Sequence, residues 1–364
     1  MFAESPWPRN HGTMTARLGI IEGYYGKPWD WAVRAQTVVF LEPHGYGFYI
    51  YAPKLDAFLR ERWDEGHPSA EKAALAKLSV LCRETGVRFG LGLSPFEIYR
   101  AFDAGARHKL ARKLAMLDEI GIDDLAILFD DMRGDLAHLA QTQSDIAHFA
   151  TAHSKATRLI ICPTYYSDDP VLDRLFGRRP KNYLEDLGRL LDPKIEVFWT
   201  GEEVCSKQID PAHLARVTAQ LRRKPFLWDN YPVNDGARMS QFLHLRAFTG
   251  RPATNAAHLA AHAVNPALQP VLTRIPMLTL AMSYAQGDGY VYGAAFHDAA
   301  IEVAGRELAD MLRDDLLFLQ DVGLDRLSSR AEKLRTRYAA INHPAAREVV
   351  AWLDGEWRFK SEIA

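Results

Sequence analysis

Leu125-Ala126-Ile127-Leu128-Phe129-Asp130-Asp131 runs five apolar residues straight into two aspartates. A short continuous apolar run of this kind fits a strand buried on both faces. The aspartates then stand where the strand leaves the core. Side chains alternate along a strand, so Asp130 and Asp131 share a site only if the chain turns between them. Two carboxyl groups brought close do not both ionise freely, and their environments push their pKa values apart. One stays an anion and the other is able to carry a proton. The plainer alternative is that one Asp caps the following helix and the other is solvated.

Working outward, the same unit recurs along the chain. Apolar runs stand at residues 18–25, 45–51, 87–93, 125–131, 158–162, 195–199 and 225–228, with a weaker one at 258–264. Helical patterns separate them at about residues 30–41, 69–85, 107–120, 135–156, 182–191 and 211–223, and a last one runs to about 285. Seven clear strand–helix units and a weaker eighth predict a (β/α)8 TIM barrel. The alternative, a doubly wound open sheet, lacks its Gly-rich phosphate turn after the first strand. Beyond residue 290 the pattern is helical only. Leu308, Met311, Leu312, Leu316 and Leu319 form one stripe, predicting a single amphipathic helix over 301–320. Further helices are predicted at 328–341 and 345–353, with Trp352 and Trp357 anchoring the end. The expected organisation is a disordered extension over 1–15, a catalytic barrel over 16–288 and a small C-terminal helical domain over 289–364. Packing on the barrel accounts for that last unit, and a homodimer role is left open.

Composition narrows the function. The 364 residues are 48% hydrophobic and carry a net charge of −2, so no chain-wide field favours nucleic acid. The 13 histidines show no ligand spacing, and Cys82, Cys162 and Cys205 are far apart. Neither a disulfide framework nor a zinc site is expected, and no cofactor. No apolar stretch reaches membrane-spanning length and no signal-peptide pattern is seen, which predicts a soluble, cytoplasmic protein with no membrane partner.

In a barrel the strand ends meet over one mouth. Those ends offer Gly23, Tyr24 and Tyr25; Lys54; Ser94; Asp130 and Asp131; Cys162 and Tyr166; Thr200; Trp228, Asn230, Asn234 and Asp235; and Asn265. Hydroxyl, amide, carboxylate and ammonium groups beside aromatic faces suit a sugar, whose ring has polar edges and apolar faces. A phosphate site calls for more cations, and a two-metal site for more carboxylates or histidines.

These residues also resemble a known family. Gly19-Ile-Ile-Glu-Gly-Tyr-Tyr-Gly-Lys-Pro-Trp29 is similar to the first-strand signature of glycoside hydrolase family 84, the O-GlcNAcases and bacterial β-N-acetylglucosaminidases. The resemblance continues through Tyr51-Ala-Pro-Lys54, Leu128-Phe-Asp-Asp131, Cys162-Pro-Thr, Trp199-Thr-Gly201, Trp228-Asp-Asn230, Asn234-Asp235 and Asn265-Pro266, in family order. It implies a retaining exo-β-N-acetylglucosaminidase in which the 2-acetamido oxygen of the substrate is the nucleophile and an oxazoline forms. Asp130 would then orient the acetamido group, and Asp131 would be the general acid and base. Tyr166 would bond the acetamido oxygen, while Cys162, Thr200 and Trp228 wall its methyl group. Asn230 would support Asp130. Asp235 and Asn265 would hold the 4- and 6-hydroxyls, with Gly23 and Lys54 at the 3-hydroxyl side, and Tyr25 belongs to the substrate-binding set. The implied partner is a GlcNAc-bearing glycoprotein, glycopeptide or oligosaccharide. Plainer roles stand beside these: Cys162 and Trp228 as core, Lys54 paired with Asp56, Asn234 and Asn265 as loop-shaping residues. Tyr165 departs from the family, which often has Glu there, and leaves the aglycone side undefined. The competing functions are a catalytically silent sugar-binding barrel and a metal-dependent barrel hydrolase.

Overall fold

The computed structural model describes residues 16–359. The extension expected over 1–15 lies outside the described residues. Eight parallel strands close into a barrel in sequence order: β1 (Leu18–Glu22), β2 (Tyr46–Tyr51), β3 (Arg88–Leu93), β4 (Asp124–Leu128), β5 (Arg158–Cys162), β6 (Glu196–Trp199), β7 (Phe226–Asp229) and β8 (Ala261–Val264). β1 pairs with both β2 and β8, which completes the ring. Each expected run therefore contains a strand, the weak eighth included.

The helices around it are α1 (Trp31–Leu41), α2 (Ser69–Glu84), α3 (Ala104–Asp118), α4 (Leu139–His153), α5 (Pro170–Phe176), α6 (Tyr183–Leu190), α7 (Pro211–Leu221), α8 (Gly236–Met239) and α9 (Arg274–Gln286). Strand alternation sorts the apolar residues into two layers. Ile21, Ile50, Leu128, Ile160, Phe198 and Phe226 fill the barrel interior. Ile20, Tyr49, Ile127, Ile161, Val197 and Trp199 face the helices. Continuous apolar strands result because both faces are covered. At the strands' N-terminal end the interior is closed by a buried carboxylate: Asp124 accepts from Arg88 and Arg158, and the Arg158 guanidinium lies over Phe48 and Phe226. The opposite end is left open.

Two element boundaries differ from expectation. The helix expected from residue 135 begins at Leu139. Residues ahead of it are tied elsewhere, since the Gly134 amide donates to the Phe176 carbonyl at 2.8 Å and Arg133 pairs with Asp135. The single helix expected over 301–320 is two: α10 (Tyr292–Ala304) and α11 (Arg306–Leu317), followed by a π-helical turn at Phe318–Val322. Gly305 has φ +77°, a left-handed conformation that breaks the helix there. The stripe lies wholly beyond the break, with Leu308, Leu312 and Leu319 buried.

Two further helices, α12 (Arg330–Ala339) and α13 (Pro344–Leu353), complete the described chain. Glu348 on α13 accepts from the amides of Val271 and Leu272, in the loop between β8 and α9. Trp352 is buried and donates to the Ser240 carbonyl at 3.2 Å, while Trp357 packs beside Tyr24 and Trp29. Both tryptophans thus hold the C-terminal helices against loops at the open end. No helix of the described residues is long and apolar enough to cross a membrane.

Candidate active site

The open end holds a cleft of about 610 Å³, its mouth included. It is lined by Gly23, Tyr25, Lys54, Asp130, Asp131, Cys162, Tyr166, Thr200, Trp228, Asn230, Asp235 and Asn265, together with Val204, Cys205 and Val233. All of the catalytic and binding candidates named from the sequence are thereby brought to one place, supplied by the C-terminal ends of seven of the eight strands and the loops that follow them. The loop after β3 supplies none of them: Ser94 is buried and its amide is bonded to the Leu59 carbonyl.

The aspartate pair solves a geometric problem. Ala126 and Leu128 point into the barrel, and Asp130 continues that side. Ile127 and Phe129 point outward, and Asp131 would follow them in a regular strand. Instead Asp131 takes φ +58°. That left-handed residue turns the backbone, so the second carboxyl swings back to the cleft. A non-glycine residue pays for this conformation with about 1 kcal/mol of strain, and such strain gathers at functional sites. The turn is supported from below. Thr164 donates to the Phe129 carbonyl at 2.9 Å, and Gln143 donates to Thr164 at 2.8 Å. Tyr165 is fully buried and its hydroxyl bonds the Gly177 carbonyl at 2.7 Å. It braces loops under the turn and does not line the cleft.

The two carboxyl groups have unlike surroundings. Asp130 is buried; its Oδ2 is ion-paired with the buried Lys54 ammonium. Its Oδ1 is buried with no hydrogen-bond partner among the described residues. A buried carboxylate oxygen without a donor is costly and calls for one. Asp131 receives two phenols, Tyr25 donating to Oδ2 at 2.8 Å and Tyr166 approaching Oδ1 at 3.4 Å. Burial, then the charge of Asp130, holds the Asp131 carboxyl above its ordinary range, with Lys54, Arg60 and the Tyr25 hydrogen bond opposing. Burial and the Asp131 charge raise both tyrosines well above their usual range, so they remain donors. One carboxylate is thus paired with a fixed cation and its neighbour is biased to keep a proton.

The remaining walls divide into apolar and polar sides. Cys162 and Trp228 cap the barrel-interior core, with Tyr166 against them. Burial pushes the Cys162 thiol well up, so it is a neutral apolar wall and not a nucleophile. A Cβ on Gly23 would overlap the Trp228 indole, which is why glycine stands there. The Gly23 amide donates to Asn265 at 3.2 Å, Asn265 donates to Asn230 at 2.9 Å, and Trp228 donates to the same Asn230 oxygen at 3.0 Å. The Asn230 amide nitrogen donates to the Val204 carbonyl at 2.9 Å. Its bonds therefore fix the tryptophan and the loop after β6, and none among the described residues goes to Asp130, where the sequence reading placed it. Lys54 likewise pairs with Asp130 and not with Asp56, which takes Tyr51, His67 and the Phe58 amide. Asn234 is turned away, bonded to Gln269 and Phe242. Asp235 accepts from the Tyr25 amide at 2.7 Å. Burial pushes its carboxyl up to about 6, opposed by that bond, with the Asp131 charge adding to the rise.

Sequence reasoning missed Val204, Cys205 and Val233, which sit on loops with no periodicity to mark them. It also missed what holds the loop after β6. Arg251 is buried and donates to Asp229 at 2.7 Å and to the Ser206 carbonyl at 2.6 Å, and His262 completes the Asp229 cluster at 3.0 Å. No group of three or more His, Cys, Asp or Glu side chains arranged to hold a metal occurs among the described residues.

The β-N-acetylglucosaminidase family model matches residues 18–316 of this sequence, the whole barrel and part of the helices beyond it. The chain belongs to that family. Relatives of this β-N-acetylglucosaminidase family member include Protein O-GlcNAcase of Mus musculus and of Rattus norvegicus, each 29% identical over 277 residues. Those matches cover 73% of the chain but only 30% of either relative, so the chain spans under a third of their length. Among solved structures, an O-GlcNAc hydrolase mutant from Thermobaculum terrenum superposes with a TM-score of 0.77 at 27% identity, over 93% of this chain and 81% of that one. The structure of CpGH84B superposes with a TM-score of 0.73 at 22% identity, over 93% of this chain and 65% of that one, which bears on the fold alone.

Proposed function

We propose that this family member is a retaining exo-β-N-acetylglucosaminidase that hydrolyses terminal β-linked GlcNAc, including GlcNAc O-linked to serine or threonine of proteins, by substrate-assisted catalysis. The observation that carries this reading is the unpartnered, buried Oδ1 of Asp130 beside Asp131, whose carboxyl is held above its ordinary range by burial and by the Asp130 charge. An acetamido N–H supplies the donor that Oδ1 lacks. Asp130 then orients the acetamido group and stabilises positive charge as its oxygen attacks the anomeric carbon. The attack forms the C1–O bond of an oxazoline while the glycosidic C1–O bond breaks, and Asp131 gives its proton to the leaving oxygen. Asp131, now a carboxylate, takes a proton from water as that water attacks C1 and the oxazoline ring opens. Two displacements at one carbon retain configuration. Adjacent residues suit this scheme better than an enzyme nucleophile does, since the latter requires carboxyls ~5–5.5 Å apart across the bond.

Tyr166 supports the same sequence. Its 3.4 Å approach to Asp131 is long for an O–H···O bond, leaving the phenol available to the acetamido oxygen. Cys162, Thr200 and Trp228 suit the acetamido methyl, and Asp235 with Asn265 suits ring hydroxyls. The protein-linked substrate rests on the mouse and rat relatives being named Protein O-GlcNAcase. The test is to compare an aryl β-N-acetylglucosaminide, its N-trifluoroacetyl analogue and the matching β-glucoside. The first is cleaved, the second is slowed sharply and the third is not cleaved. Equal turnover of glucoside and N-acetylglucosaminide would end the substrate-assisted reading.

A further inference from the structure

The Arg60 guanidinium stands behind the aspartate turn and has no carboxylate partner among the described residues. Its Nη2 donates to the backbone carbonyl of Asp131 at 3.3 Å. Its Nη1 is buried without a hydrogen-bond partner among the described residues. The guanidinium lies over the Phe96 ring, 5.7 Å from its centroid. The backbone leading into Arg60 is tied down. It follows the short 3-10 turn Ala57–Leu59, and the Leu59 carbonyl accepts from the Ser94 amide at 2.7 Å, tying this loop to the end of β3.

Around the Asp131 carboxyl stand Asp130 and Lys54, Tyr25 and Tyr166, Cys162 and Asp235. Lys54 is the other cation there, and it is committed to Asp130. Arg60 is therefore the one fixed positive charge beside the pair not already neutralised by a carboxylate, among the described residues. We infer that Arg60 is the positioning residue of the acid–base aspartate: it holds the Asp131 carbonyl in the left-handed turn and supplies the uncommitted charge that lets this carboxyl shed its proton. The need for such a charge follows from the chemistry. Asp131 has to lose a proton to the leaving group in one step and act as a base in the next. Burial and Asp130 oppose its anionic form, and a nearby guanidinium offsets them.

This inference rests on the acid–base role given to Asp131 above. It is tested by kcat/KM against pH for the wild type, Arg60→Gln and Arg60→Lys, using an alkyl β-N-acetylglucosaminide that needs its leaving group protonated. Gln keeps a donor for the carbonyl but loses the charge; Lys keeps the charge. With the cation gone, Asp131 holds its proton to higher pH. The basic limb of Arg60→Gln moves upward by roughly half a unit or more, whereas that of Arg60→Lys stays at the wild-type position. A uniform loss with the limb unmoved in Arg60→Gln, or an equal shift in Arg60→Lys, overturns the inference. If Arg60→Gln does not fold, Arg60→Met takes its place as the charge-free variant: an upward-moved limb beside an unmoved Arg60→Lys supports the inference, and an unmoved limb overturns it. Failure of the Asp131 assignment reads differently: Asp131→Asn would then keep its activity on the alkyl glycoside.

Discussion

Tyr25 bridges Asp131 and Asp235, donating its hydroxyl to the first at 2.8 Å and its backbone amide to the second at 2.7 Å. One residue after β1 thus connects the carboxyl proposed to move the proton with the one proposed to hold the sugar. The hydroxyl bond selects which Asp131 oxygen is occupied, leaving Oδ1 for the leaving group. Tyr25→Phe frees the carboxyl to rotate and removes a bond worth about 1.5–3 kcal/mol to its charged form. The expected result is a fall in kcat/KM of about 10- to 100-fold on poor leaving groups. Steady-state kinetics with a Tm check for folding decides it, and unchanged kinetics would place the bond outside the reaction.

Asp235 gives a pH prediction. Its carboxyl is raised to about 6, so it is largely an anion at pH 7 and mostly protonated at pH 5. The anion accepts from sugar hydroxyls, and protonation removes one acceptor. Substrate affinity falls as pH drops through about 6. Asp235→Asn is expected to raise KM at pH 7 and to abolish this acid-side rise in KM. The stability sign runs the other way. A carboxyl whose pKa is higher folded than unfolded disfavours the fold once both states can ionise, so the folded state loses stability as pH rises from about 4 through 6. Asp235→Asn removes that penalty, and its Tm at pH 7 should equal or exceed that of the parent. A KM rise on acidification that persists in Asp235→Asn would assign the limb to another group.

Much of the architecture is legible in the sequence because parallel barrel strands are covered on both faces. Runs such as Leu125 through Phe129 have little alternative, and their polar ends converge by closure of the ring. The cleft residues follow from the ends of those runs. What the sequence hides is local backbone geometry. Nothing in Asp131 announces φ +58°, since glycine is the usual marker of that region and Asp occupies it only sometimes. Gly305 has the opposite fault: the marker is present, but apolar residues on either side, Val303 and Ala304 before it and Leu308 after it, mask the break. Arg60, Val204 and Cys205 lie on loops, where position depends on tertiary bonds such as those of Arg251 and Asn230.

Gly23 predicts a packing effect inside the site. A Cβ there would meet the Trp228 ring, which is itself pinned by Asn230 and faces Phe198 at 5.1 Å between centroids. The indole cannot yield without disturbing the interior layer below it. Gly23→Ala is expected to cost about 1–3 kcal/mol of stability, as overpacking does, and to weaken GlcNAc-like inhibitors more than tenfold by shifting the wall. Chemical denaturation and inhibitor titration check the two parts. A variant of unchanged stability would mean that Trp228 has room to move.

The adjacent aspartates separate by leaving group. Asp131→Asn removes the proton donor but leaves Asp130, paired with Lys54, to orient the acetamido group. Its loss is expected to be severe with serine, threonine or other alkoxide leaving groups. With dinitrophenolate, which departs without protonation, the first step is nearly spared, and the missing base then limits the second. Azide, an anion needing no deprotonation, should restore turnover there and give the β-glycosyl azide. Asp130→Asn has the opposite character. It replaces the anion facing the acetamido N–H and breaks the Lys54 pair, leaving a buried ammonium without its partner. The nucleophile is then misoriented before any bond breaks, so good and poor leaving groups slow alike and azide has no effect. Plots of log kcat/KM against leaving-group pKa measure this directly: steep for Asp131→Asn and close to the parent slope for Asp130→Asn. Equal slopes in the two variants, or the reverse order, would exchange or remove the roles given to this pair while leaving the family membership untouched.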